Sequence, residues 1–110
     1  QVATPDMMIA GFSQLIARAH ELGLKIYGAT ITPQGGSFFY NEESEAKREA
    51  VNHWIRTSGA FDAVLDFDMV LRDPMNPAQL LPAYNSGDSL HPNDAGYEAM
   101  ADSIDLKLFK

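Results

Sequence analysis

Apolar side chains recur at Met8, Phe12, Leu15, Ile16 and Ala19, the three-and-four spacing of one helix face. Thr4 stands where an N-cap belongs, and Pro5 occupies the first helical position, where its missing N–H costs nothing. Gly23 supplies the stop. The period then changes. Leu24 to Thr32 reads LKIYGATIT, β-branched, nearly uncharged and closed by Pro33, which predicts a strand buried on both faces. Pro33 to Ser37 is a loop by composition. Helical spacing returns after Asn41, with Ala46, Ala50, Val51, Trp54 and Ile55 on one face and Gly59 as the stop. Glu42, Glu43 and Glu45 fall in the first turns, where the helix dipole favours negative charge. Ala63 to Phe67 predicts a second, short strand. Between Asp68 and Asp88 the chain carries Pro74, Pro77 and Pro82 with little periodicity, and reads as a long loop holding at most one helical turn. A third helix from Asn93 would bury Tyr97, Met100, Ala101, Ile104 and Leu108.

The predicted order is helix, strand, helix, strand, helix, and alternating βα units imply an α/β fold with a parallel sheet flanked by helices. Two parallel strands do not make a stable sheet, and one would expose an apolar edge. The 110 residues amount to roughly 0.7 of a typical domain. Residues 1–110 therefore read as the C-terminal portion of a doubly wound domain, whose open edge would pair with an N-terminal half or with a second copy.

Composition narrows the function classes. Hydrophobic residues make up 45% of the chain and charged residues 21%, a globular balance that argues against disorder. Eight Lys and Arg against 15 Asp and Glu give a net charge of −7. Nucleic acid and anionic membrane both attract basic residues, so neither is an expected partner. The absence of cysteine excludes a disulfide scaffold, a thiolate nucleophile and a Cys-type zinc site. No apolar run approaches a membrane span, and no signal peptide begins at Gln1; a targeting segment would lie upstream.

In open α/β sheets ligands bind outside the carboxyl ends of the strands, the rim reached by the 33–40 loop and by the long loop before the third helix. The second loop carries Asp88 and His91, three residues apart at a helix entrance. In a tight turn that spacing can set a carboxylate against one imidazole nitrogen and leave the other facing the crevice, the orienter and general base of a nucleophile–His–Asp triad. On spacing alone, the commoner reading of such an aspartate is a helix cap. Thr32, Gly35 and Gly36 end a strand at the same rim; they fit a substrate cleft and equally a glycine turn. His20 and His53 read as surface histidines without a metal partner at ligand spacing, and Trp54 as core. Asp66 and Asp68 at a strand end would suit a metal or phosphoryl site, but no phosphate loop or lysine accompanies them. Tyr84 could flank a substrate.

Residues 86–97, SGDSLHPNDAGY, resemble the last conserved block of the SGNH hydrolases, also called GDSL-type lipases and acylhydrolases. The resemblance extends to GLKIYGATITPQGGS at 23–37, VNHWIR at 51–56, FDAVLDFD at 61–68 and LRDP at 71–74, a pattern like that of secreted-type esterases. It implies a flavodoxin-like three-layer α/β/α sandwich and hydrolysis of small-molecule, carbohydrate or lipid esters without metal or cofactor. It also implies His91 as base, Asp88 as its orienter and a secreted or periplasmic location. The literal string Gly87-Asp88-Ser89-Leu90 is a decoy, because its aspartate already serves the Asp-x-x-His block and Ser89 is poorly placed to meet the crevice-facing nitrogen of His91. The family's Gly-Asp-Ser nucleophile block, its oxyanion-hole glycine and its Gly-x-Asn-Asp block have no matching position. The expectation is thus a serine esterase for which this chain supplies histidine and aspartate. The alternative is a non-catalytic binding or interaction domain that keeps the fold and pairs through its open strand edge.

Overall fold

A computed structural model describes residues 3–110. The first helix, α1 (Pro5–Glu21), begins as its sequence predicts, with the Thr4 hydroxyl accepting the Met7 N–H at 3.1 Å. Strand β1 (Tyr27–Ala29) follows, then α2 (Glu42–Thr57), capped by a reciprocal Asn41–Ser44 box, and β2 (Ala63–Leu65). β1 and β2 pair in parallel with Tyr27 opposite Ala63 and Ala29 opposite Leu65, as the alternating order requires. A small parallel sheet among helices is an α/β arrangement.

Helices α1 and α2 pack together over one face of this sheet. Phe12, Trp54 and Phe61 meet there with ring centroids 6.0–6.4 Å apart. The Phe61 ring lies so close over Gly28 that any Cβ at that position would collide with it. On the other face the Tyr27 ring meets Phe109 at 5.8 Å, and its hydroxyl donates to the Leu108 carbonyl in a 3₁₀ turn, Leu106–Phe109. The buried apolar core is small: Ile16, Val51, Ile55, Leu71 and Leu80. Leu15, expected on the buried stripe of α1, is 60% exposed, because the stripe that faces α2 runs through Met8, Phe12 and Ile16.

Four further expectations are corrected. The strand expected over Leu24–Thr32 and buried on both faces is confined to Tyr27–Ala29, with Ala29 exposed, because only these residues meet β2. Leu65 ends the second strand, because the Asp66 side chain accepts the Met69 N–H and starts a short helix, α3 (Phe67–Leu71), which removes Phe67 from the sheet. The expected long loop is largely structured: β3 (Arg72–Asp73) and β4 (Asn76–Leu80) form an antiparallel hairpin, followed by a 3₁₀ turn at Pro82–Tyr84. Strands this short carry too few alternations to announce themselves, and Pro77 is tolerated because a two-stranded hairpin is all edge. The last helix, α4 (Asp94–Asp102), stops before Ile104 and Leu108 and leaves Tyr97 and Ala101 exposed. What it buries is Gly96, against Pro92 and Tyr84.

Ionic contacts knit the elements where apolar ones are few. Asp68, 2% exposed, receives Arg48 of α2 at 2.5 Å, Arg56 of α2 at 2.7 Å and Arg72 of β3 at 3.2 Å. Asp66 takes a two-pronged contact from Arg56 and the hydroxyl of Thr30, whose oxygen accepts the Asp68 N–H. Asn52 forms both halves of a strand-like pairing with Ile31, accepting its N–H at 2.7 Å and donating to its carbonyl at 2.8 Å.

Removing one partner of a buried ion cluster strands the others, at a cost of about 3–5 kcal/mol. Asp68→Ala is expected to lower stability by that amount in urea unfolding. The guanidinium of Arg56 holds the Asp66 carboxyl below its ordinary value. A lowered folded-state pKa gives stabilisation that is complete above the unfolded value, about pH 4, and lost as pH falls through the folded one. Asp66→Asn should flatten the stability loss measured between neutrality and acid.

Candidate active site

The loop from Asn85 to Asn93 closes on itself before α4 begins. An antiparallel bridge joins Asn85 to Pro92, the Ser86 N–H reaches the His91 carbonyl at 3.1 Å, and the Asn93 side chain caps α4 at the Gly96 N–H. Asn93, and not Asp88, is thus the helix cap. Within this frame Asp88 Oδ2 lies 2.6 Å from His91 Nδ1, while Oδ1 accepts the backbone N–H groups of Leu90 and His91, each at 2.8 Å, and the Ser86 hydroxyl at 3.1 Å. The bond to the His91 ring, followed by the two backbone donors, holds the Asp88 carboxyl well below the usual carboxylate range. An ionised Asp88 fixes the ring with its proton on Nδ1 and leaves Nε2 as the basic nitrogen. Nε2 has no hydrogen-bond partner among the described residues, and the His91 side chain is 64% exposed.

Ser89 sits between the pair in a left-handed conformation, φ 61°, with its hydroxyl accepting from the Asn85 amide at 3.2 Å. It makes no hydrogen bond to His91. Gly36, φ 87°, brings the 33–37 loop alongside, so that a Cβ there would stand 3.2 Å from the Ser89 hydroxyl. Gly35 is turned the other way, buried against β4, with its N–H on the Ala78 carbonyl at 2.6 Å. Thr32 is half-buried and makes no side-chain hydrogen bond among the described residues. Tyr84 serves through its backbone, its carbonyl accepting the Asn93 N–H at 2.8 Å.

The remaining candidates lie elsewhere. His53 is exposed on α2, and Trp54 belongs to the aromatic cluster. Asp66 and Asp68 face arginines. His20 is a surface residue, as expected, and bonds Asp62 at 2.9 Å, while Asp62 also takes the Ile26 N–H at 2.8 Å. A cavity of about 320 Å³ between β2, α3 and the C-terminal turn, lined by Val64, Leu65, Met69 and Leu108, includes neither Asp88 nor His91. Sequence reasoning missed Arg48, Asn52 and Arg56, which hold the strand end at the crevice. Their four-residue spacing on α2, beside buried Val51 and Ile55, was the available signal.

The chain belongs to the GDSL-like Lipase/Acylhydrolase family, whose pattern it matches over residues 1–99. No curated protein matches it. The family is one of acyl-ester hydrolases, and no helix among the described residues is long and apolar enough to cross a membrane.

The hydrogen bonds around Asp88 carry a measurable consequence. Followed by the ¹³C shift of its carboxyl, Asp88 should stay ionised below the ordinary aspartate midpoint of about 3.9. In His91→Ala the midpoint should rise, yet not reach that value, since two backbone N–H donors remain.

Proposed function

From membership of the GDSL-like lipase/acylhydrolase family, we propose that this chain is the base-bearing part of a carboxylic-ester hydrolase that works by a Ser-His-Asp mechanism. His91 is the general base and Asp88 its orienter. The observation that carries the reading is the 2.6 Å contact between Asp88 Oδ2 and His91 Nδ1, with Nε2 unengaged among the described residues and the ring exposed. His91 Nε2 takes the proton of a serine hydroxyl as that oxygen attacks the ester carbonyl, then returns it to the leaving alcohol. Water, deprotonated by the same nitrogen, releases the acid from the acyl-enzyme. Asp88 stays ionised throughout and stabilises the imidazolium.

The nucleophile and the oxyanion donors come from polypeptide outside these 110 residues. Two features support this. The Ser89 hydroxyl accepts from Asn85 and makes no hydrogen bond to His91, and the Asp88 side chain is 50% exposed, whereas a triad aspartate works best shielded from water. The same polypeptide completes a three-layer, flavodoxin-like sandwich by pairing with the outer edge of β1. Ile26 and Thr30 bond toward β2, so strand alternation turns the backbone groups of Tyr27 and Ala29 to an edge where no strand pairs among the described residues. Thr32 and Gly36 line the substrate cleft, and Gly35 seats their loop on β4. The open edge also favours a second reading, a non-catalytic domain that binds a partner strand.

Ester turnover separates the two. Alone, the chain should hydrolyse p-nitrophenyl acetate no faster than His91→Ala. Joined to the nucleophile-bearing segment, it should turn over. In that enzyme His91→Ala abolishes activity, Asp88→Asn lowers kcat by about 10⁴ through the wrong tautomer, and Ser89→Ala changes little. An isolated chain that is active and dies on Ser89→Ala refutes the assignment; an assembled protein that binds tightly but hydrolyses nothing establishes the second reading.

A further inference from the structure

The Asp88–His91 geometry needs a backbone reversal within four residues. The same carboxylate must reach the His91 ring with one oxygen and the N–H groups of Leu90 and His91 with the other. Ser89 makes the reversal, and it does so at φ 61°, a conformation that L side chains adopt reluctantly. A neighbouring group must hold it there. Asn85 is in position: its Oδ1 accepts the Gly87 N–H at 2.8 Å and the Ser89 N–H at 3.0 Å, and its Nδ2 donates to the Ser89 hydroxyl at 3.2 Å. Two converging N–H donors fix which way the amide faces, since the flipped amide would set donor against donor. Asn85 is itself tied down on both sides, by its N–H to the Pro82 carbonyl, by the Asn93 amide on its own carbonyl and by the bridge to Pro92.

We propose that Asn85 is the positioning residue of the pair: it holds Ser89 left-handed, and so sets Asp88 against Nδ1 of His91 and keeps Nε2 basic. The inference rests on the hydrolase reading only in what the pair is used for; the positioning itself is a property of the loop. Asn85 touches neither ring nor carboxylate and acts through the backbone of residues 87–89.

The test is the tautomer of His91 in the full 110-residue chain, read from the ¹⁵N shifts of its ring at a pH where the ring is neutral, with Trp54 fluorescence reporting the fold. The wild-type chain should hold the proton on Nδ1, and Asn85→Asp, which keeps an oxygen for both N–H donors, should retain that form. Asn85→Ala should shift the ring to the Nε2–H form, and adding Ser89→Gly, which makes the left-handed conformation free, should bring Nδ1–H back. A merely structural Asn85 would show no such rescue. If Asn85→Ala fails to fold, Ser89→Val strains the same link from the other end and should shift the tautomer likewise. An unchanged tautomer in Asn85→Ala or, should that not fold, in Ser89→Val overturns the proposal, as does failure of Ser89→Gly to rescue. In the assembled enzyme Asn85→Ala should lower kcat on the order of 10²-fold with KM nearly unchanged. Absence of turnover with the tautomer response intact would refute the hydrolase reading and leave the positioning role standing.

Discussion

One buried carboxylate organises much of this structure. Asp68 takes hydrogen bonds from arginines on α2 and β3, and its own N–H is fixed by Thr30 just past β1. Sheet, helix and hairpin are therefore joined through a single residue. The buried apolar core, five side chains among the described residues, is too small to do that alone. A charge at such a position is tolerated only when its partners are complete. The Arg48 guanidinium shows the balance: burial would lower its pKa, but the Glu45 and Asp68 carboxylates outweigh that and raise it. The network also reaches the 33–37 loop, because Arg48 and Asn52 both bond the Ile31 carbonyl and so fix where that loop leaves the sheet.

The chain is flatter and more extended than a compact domain of its length. The chain spans 41 × 36 × 20 Å, a slab, and its radius of gyration of 14.8 Å exceeds the ~13 Å of a compact domain of this length. Met7 and Leu15 of α1 and Leu22 just after it are exposed, and one edge of β1 has no paired strand among the described residues.

Legibility in the sequence tracked how each element is stabilised. α1 and α2 were readable from caps and apolar spacing, because Thr4, Pro5, Asn41 and the Trp54 stripe act locally. β1 and β2 were readable as parallel neighbours from element order. The hairpin at 72–80 was not, since its residues are placed by contacts distant in sequence, such as Leu80 in the core and Arg72 on Asp68. Arg48 and Asn52 were missed for the opposite reason: polarity suggested solvent, whereas their partners arrive from the sheet. Asp88 and His91 were legible because their contact spans three residues. Asn85 was not, because nothing in its own position distinguishes a loop asparagine from a hub.

That short span bears on the order of assembly during folding. The bonds that shape the pair run between residues 82 and 96, so the loop closes over a stretch that can be searched in about 10–100 ns. The parallel pairing of β1 with β2 joins residues 36 positions apart and must await a far rarer encounter. The geometry of the pair is therefore among the cheapest in chain entropy. It can exist as a local kink while the sheet is still forming, and it can outlast partial opening of the hairpin or of α1.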